Sequence, residues 1–236
     1  LTLFPYTTLF RSPSSAANRY YTLTGSGGTR GVISANTLSV LPTPAWRING
    51  ISNPTQNFYS SYLRKSTTTT RTPLPAGTVS SFPASSTVYT TTGTLTFGTV
   101  GTLTVPDGVA VVYLVDGNVT ITQPLALANP NTSFLAIIAS GTISVVSTIT
   151  GSVANPGLDG VFLASTFRDL ESVSPPASPH TPLYVRGLVG ANTVNLLRDN
   201  AVRSVPAETF LYNPALPFSM PEWMKDLYYE WREVAP

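Results

Sequence analysis

The sequence predicts an all-β protein, a right-handed parallel β-helix (solenoid) with a short C-terminal helical cap, and three observations support this fold class. A glycine recurs every 24 residues, at Gly93, Gly117 and Gly141. The flanking residues match in class from copy to copy: Val-Tyr, Val-Tyr and Ala-Ile precede the glycine, and Leu-Thr-Phe, Val-Thr-Ile and Ile-Ser-Val follow it. Within each copy, apolar and polar residues alternate as they do in a half-buried strand. Three copies without a gap favour stacked coils.

The strand period of two assigns the side chains after each glycine to two faces. Apolar side chains are expected to point inward, and polar ones to solvent; the inward set is Leu95, Phe97, Val119, Ile121, Ile143 and Val145. Stacking coils about 4.8 Å apart turns each set into a ladder of like residues. Each fully buried Val, Leu or Ile contributes roughly 1.5–3 kcal/mol, although a single coil cannot bury its face alone. Crossovers between parallel strands predict the right-handed winding.

Two weaker copies follow the first three. Residues 161–165 match residues 136–140 at a step of 25, and residues 183–189 regain a glycine, Gly187, about two periods beyond Gly141. A β-sandwich is the rival architecture, because it also contains many short strands separated by turns. A sandwich does not require a constant step with matching residue classes, so the repeat favours the β-helix.

The chain divides into four segments. Residues 1–12 resemble a translated sequencing adapter, with an exposed strand as the alternative, and they are left out of fold reasoning. Residues 13–85 are rich in Ser, Thr, Gly and Pro and are interpreted as an irregular or linker segment. Residues 86–205 form the predicted solenoid. Residues 206–236 form the predicted cap, in which a helix after Pro221 places Trp223, Leu227 and Trp231 on one face.

A family resemblance rests on several segments of the second half. Residues 158–164 (Leu-Asp-Gly-Val-Phe-Leu-Ala), residues 183–190 and the ending from 206–214 to 231–236 resemble the termini of large uncharacterised surface proteins from ultrasmall candidate-phylum bacteria. The resemblance covers about residues 105–236. It implies a cell-envelope location and a β-solenoid, and it implies no chemistry.

Composition limits the chemistry and the partners. The chain has no cysteine, so disulfides, thiolate ligands and a cysteine nucleophile are excluded. Residues 1–106 carry seven Arg and Lys and no acid, but these bases are scattered, and nucleic-acid binding is not predicted. No apolar run approaches the 18 residues of a membrane span. Because the chain begins at Leu1 without a signal peptide, we expect it to be a fragment whose targeting segment is missing.

Catalytic signals are weak, and we predict no catalytic residue, metal site or cofactor. His180 is the only histidine, lies among prolines and has no Gly-x-Ser-x-Gly elbow to accompany it. Asp107, Asp116 and Asp159 each precede a glycine, which is typical of turns. Asp116 also aligns with Ser140 and not with another acid, so no row of carboxylates runs along the stack.

The first strand of each coil contains the predicted interaction surface. Tyr89, Tyr113 and Ile137 should align on its outer face, and this column is too apolar for water. The terminal helix would cover it through Trp223 and Trp231. Otherwise the column would dock another subunit or provide an aromatic track for sugars.

These features predict a non-enzymatic structural or adhesion-like domain of a bacterial cell-surface protein. The expected location is extracellular or at the cell surface, and the expected partners are other domains of the same polypeptide or envelope components. The alternative is a carbohydrate-binding or carbohydrate-active β-helix with a glycan as its partner. Self-assembly through the Tyr113 column is a third hypothesis.

Overall fold

The computed structural model describes residues 57–169, 181–198 and 206–225, together with the backbone of three upstream strands. These three strands, β1 (Thr8–Arg11), β2 (Tyr20–Thr24) and β3 (Gly31–Ser34), form an antiparallel sheet. His180, Leu227 and Trp231 lie outside the described residues, and the interpretation of residues 1–12 stays a prediction.

Thirteen further strands form one sheet that winds into a β-solenoid of about four turns, and every described pairing within it is parallel. The predicted parallel β-solenoid is therefore confirmed. The strands are β4 (Arg71–Pro73), β5 (Gly77–Val79), β6 (Thr87–Thr92), β7 (Leu95–Phe97), β8 (Leu103–Val105), β9 (Ala110–Asp116), β10 (Val119–Ile121), β11 (Leu125–Leu127), β12 (Phe134–Ala139), β13 (Thr142–Val145), β14 (Leu158–Arg168), β15 (Leu183–Asn195) and β16 (Glu208–Leu211).

The strands lie on three faces of the solenoid. Face 1 contains β4, β6, β9, β12 and the middle of β14 and β15. Face 2 contains β5, β7, β10, β13 and the last residues of β14 and β15. Face 3 contains β8, β11, the first residues of β14 and β15, and then β16. Strands β14 and β15 therefore run through all three faces without a break in strand structure.

The observed register confirms the 24-residue ladder. Val119 pairs with Leu95 on one side and with Ile143 on the other. The step of 25 is also confirmed, since Ile137 pairs with Phe162. On face 3, however, Leu125 pairs with Leu158, 33 residues later. The loop after β13 lengthens that corner, and β14 compensates by passing from face 3 to face 1 without a loop.

One predicted alignment is wrong. Gly187 does not continue the row of Gly141; it stacks on Gly160, at the corner between face 3 and face 1. The row of glycines at the other corner has a steric cause. A Cβ on Gly117 would lie 2.2 Å from the carbonyl oxygen of Gly93, and the φ of Gly117 is +156°. Only glycine permits two coils to approach this closely there.

The solenoid extends beyond its predicted limits of 86 and 205, because β4 and β5 precede it and β16 follows it. The segment interpreted as a linker also contains the helix α1 (Phe58–Lys65) and a 3-10 turn, Ser66–Thr68. The strands of the first coil have three residues each and are largely exposed, so they lack the apolar alternation that marks later coils. Leu74 and Phe82 pack against the first end of the core.

The predicted short helical cap near the C-terminus is confirmed, but its helix lies earlier than expected. Helix α2 (Leu216–Ser219) precedes Pro221, and the residues after Pro221 form a 3-10 turn, Glu222–Met224. Leu216 and Met224 are buried against face 1. The C-terminal segment therefore lies along the side of the solenoid.

Candidate functional site

The predicted surface column lies inside the solenoid. Tyr89 pairs with Tyr113, and Tyr113 pairs with Ile137, so the alignment is as predicted. The predicted outward orientation is wrong, because Tyr113 is 1% exposed and Ile137 is fully buried. The ring of Tyr113 meets that of Phe97 edge-on, at 4.9 Å between centroids, and it is stacked on that of Tyr89 at 5.1 Å. The bend at Gly117 preserves the alternation, so residues 113, 115 and 119 all face the core.

Burial in this apolar environment raises the pKa of Tyr113 well above its usual value of 10.0, and the neighbouring Tyr89 adds to the shift. The phenol is therefore neutral at physiological pH. Self-assembly through the Tyr113 column would require this buried ring to reach the surface, which the packing does not favour.

The outward side of face 1 is the apolar surface that needs a cover. It carries Val88, Val112, Leu114, Ala136, Ile138, Val161 and Leu163. Helix α1 packs on this side through Phe58, Tyr59, Tyr62 and Leu63. Its first turn is capped by Asn57, whose Oδ1 accepts a 2.9 Å hydrogen bond from the backbone N of Ser60. The sequence analysis missed α1, although aromatic and apolar residues at positions 58, 59, 62 and 63 have helical spacing.

Trp223 is the one predicted surface residue that reaches this cover. Its ring lies edge-on to that of Tyr62, with 6.5 Å between the centroids. The predicted intramolecular cover by the C-terminal segment is thus present, but it lies on the side of the strand opposite to Tyr113. Trp223 and α1 together seal the outward side of face 1.

The described carboxylates are held in structural contacts. Asp159, predicted to lie in a turn, is a buried strand residue whose Oδ1 accepts a 3.1 Å hydrogen bond from Nε of Arg186 on the next coil. A second contact joins Nη2 of Arg186 to Oδ2 of Asp159, which makes the pair bidentate. Asp116 accepts a 2.9 Å hydrogen bond from Oγ of Ser140, the residue with which its sequence position aligns.

The most extensive polar network surrounds Arg198, which is 0% exposed and is the largest fully buried side chain. Its guanidinium donates to backbone carbonyls at the corner between faces 2 and 3, including Val146, Ile149 and Thr181 at 2.9, 2.6 and 2.8 Å. Burial lowers the pKa of Arg198, and the carboxylates of Asp169 and Glu208 oppose that shift. No local pattern in the sequence indicates this role.

Asp169 and Glu208 are the two described carboxylates that converge. Both accept from the backbone N of Arg198, at 3.3 and 3.2 Å. They are 0% and 4% exposed, so they face the arginine and not a groove in which a sugar ring could lie. Within residues 57–169, 181–198 and 206–225, no group of three or more potential metal ligands is close enough to hold an ion.

The outward side of face 2 differs from that of face 1, because no described helix or strand packs on it. Two columns of polar side chains run along it, alternating with the buried inward residues. We call them the polar array; its members are Thr78, Thr96, Thr120, Ser144, Arg168 and Asn195 in one column, and Thr94, Asn118, Thr142, Thr166 and Thr193 in the other. The sequence analysis predicted the hydroxyl ladder of the first three copies, and the register extends it to Asn195.

Arg168 is the one charged member of the polar array. Its Nη2 donates a 3.2 Å hydrogen bond to Oγ of Ser144 on the preceding coil, while its buried Nε has no acceptor among the described residues. Asn118 adds order to the other column, since its Oδ1 accepts a 2.8 Å hydrogen bond from the backbone N of Thr142. The array is therefore a regular neutral surface with a single guanidinium.

Within the described part of the chain, no helix has the length and apolarity needed to cross a membrane. No protein-family model matches the sequence, and no curated protein and no solved structure is significantly similar to the chain.

Proposed function

We propose that this chain is a non-enzymatic structural or adhesion-like domain of a bacterial cell-surface protein. The observation that carries the proposal is the contrast between faces 1 and 2. Face 1 is sealed by α1 and the C-terminal segment, whereas face 2 presents a regular polar array on a scaffold with an apolar core. A stacked parallel sheet holds such an array in fixed positions, which suits presentation of a surface.

The extracellular or surface location is supported by composition and by the resemblance of residues 105–236. Charged residues make up 10% of the chain, and the array is built mainly from hydroxyl and amide side chains. The proposed partners are other domains of the same polypeptide or envelope components.

Antibody labelling tests the location. An antibody raised against the purified chain is expected to label intact cells of the source organism, and protease treatment of intact cells should remove the label. Labelling that appears only after the cells are permeabilised would exclude the surface location.

A carbohydrate-binding role is the alternative, favoured by the polar array because its side chains can exchange hydrogen bonds with sugar hydroxyls. A carbohydrate-active role is less well supported, since Asp169 and Glu208 converge in the interior. Glycoside hydrolysis requires two carboxyl groups that flank the bond to be cleaved. Release of reducing ends from any member of a polysaccharide panel would overturn the non-enzymatic assignment.

A further inference from the structure

We propose that the polar array binds an acidic polysaccharide, a polymer of uronic acids, with Arg168 as the contact for its carboxylate groups. This inference rests on the carbohydrate-binding alternative described above and names its ligand class and its site. The array is suited to an extended ligand, because its columns cross six strands that are spaced about 4.8 Å apart.

The charge of the array selects an anionic ligand. Arg168 is its only charged side chain, and none of the described acids, which are Asp107, Asp116, Asp159, Asp169, Glu208 and Glu222, belongs to it. A carboxylate that approaches face 2 therefore meets a cation without a competing anion in the array. A planar guanidinium matches the geometry of a carboxylate and can bind it through two parallel hydrogen bonds.

The conformation of Arg168 leaves hydrogen-bonding capacity unused. Nη2 is engaged by Ser144, but Nε is buried without an acceptor in the described structure. An unsatisfied buried donor is unfavourable, so a rotation that turns the guanidinium toward a bound anion gains the missing hydrogen bond. The flanking hydroxyls of Ser144 and Thr166 lie on both sides of this position and can bond sugar hydroxyls.

A nucleic acid fits the same surface less well. Its closely spaced phosphates are neutralised by several Lys or Arg side chains, and binding strength depends on their number. The polar array offers one cation among neutral side chains. A polymer that combines carboxylates with many hydroxyl groups matches that composition better.

The test is surface plasmon resonance on immobilised polygalacturonate at low ionic strength, with fully methyl-esterified polygalacturonate as the uncharged control. We expect binding to the acid form that weakens as salt is added, and no binding to the ester. Arg168→Gln should weaken binding at least about tenfold, because a hydrogen bond between charged groups is lost. Arg71→Gln removes the same charge from the exposed strand β4, outside the array, and should leave binding unchanged.

Thr120→Val provides a second variant within the array, and it should weaken binding without any change in net charge. Circular dichroism and the thermal midpoint of each variant verify that it is folded. Three results would overturn the proposal: no binding by the folded wild-type chain, equal binding to the ester, or equal losses in Arg168→Gln and Arg71→Gln. Preferential binding to immobilised single-stranded DNA would also overturn it. None of these results bears on the cell-surface location, which the antibody labelling tests separately.

Discussion

Nη1 of Arg198 donates a 2.6 Å hydrogen bond to the carbonyl oxygen of Ile149, 49 residues earlier in the chain. The same guanidinium reaches carbonyls of residues 146 and 181, so one side chain braces successive coils at the corner between faces 2 and 3. The carboxylates of Asp169 and Glu208 balance its charge in the interior. This corner therefore depends on a buried ion network, whereas the rest of the interior depends on apolar contacts.

Arg198→Met is expected to destabilise the protein by about 3–5 kcal/mol, because removal of one partner leaves two buried carboxylates without their cation. The measurement is the free energy of unfolding from urea titration. Arg71→Met is the matched control, since Arg71 is exposed and should change stability by no more than about 0.5 kcal/mol. Equal effects in the two variants would show that the network contributes little.

Stability should fall at alkaline pH through Tyr113. Its pKa is raised in the folded state, so above its usual value of 10.0 the unfolded chain loses the phenolic proton while the folded chain retains it. The contribution of Tyr113 is thus complete below pH 10 and is lost as the pH rises from there toward the raised pKa. The expected loss is about 1.4 kcal/mol per pH unit.

Tyr113→Phe isolates this effect. Relative to the wild type, the variant should become more stable by about 1.4 kcal/mol between pH 10 and pH 11, as measured by urea unfolding at both values. Tyr212→Phe is the control, because Tyr212 is 44% exposed. A stability difference between wild type and Tyr113→Phe that stays constant over this range would contradict the burial of the phenol.

Thr91→Val should stabilise the fold by about 1 kcal/mol. Thr91 lies in the inward column above Val115, is 3% exposed, and its Oγ1 has no hydrogen-bond partner in the described structure. Valine has nearly the same shape and removes the unsatisfied group. Thr92→Val, at the exposed end of the same strand, should change the thermal midpoint little. A loss of stability in Thr91→Val would indicate that the hydroxyl has a bonding partner.

Gly117→Ala is expected to cost at least about 2 kcal/mol, because its Cβ would meet the backbone of Gly93, which cannot move aside without disturbing the neighbouring coil. Gly77→Ala separates this collision from the backbone strain. Gly77 has a similar φ of +146°, but nothing lies within 4 Å of a Cβ built on it. Similar thermal midpoints for the two variants would show that φ, and not the close approach of coils, explains the recurring glycine.

The sequence was sufficient to predict the ladder but not the cover or the corner. The pairing of Val119 with Leu95 and Ile143 follows from the 24-residue step, since stacked coils must place like residues together. The orientation of Tyr113 does not follow, because residues 111–115 are all apolar and both sides of that strand are buried. Arg198 has no periodic signal, since its partners are the carbonyl groups of distant loops.

The contact between Tyr62 and Trp223 should couple α1 to the C-terminal segment. Their rings are edge-on, and both residues pack against the outward side of face 1. In a double-mutant cycle of Tyr62→Ala, Trp223→Ala and the double variant, we expect a coupling energy of about 0.5–1.5 kcal/mol in urea unfolding. Phe58→Ala provides a matched cycle with Trp223→Ala, because Phe58 packs at the other end of α1, near Gly190. That pair should be additive, and coupling of equal size in both cycles would mean that α1 and the C-terminal segment respond as a unit and not through this aromatic contact.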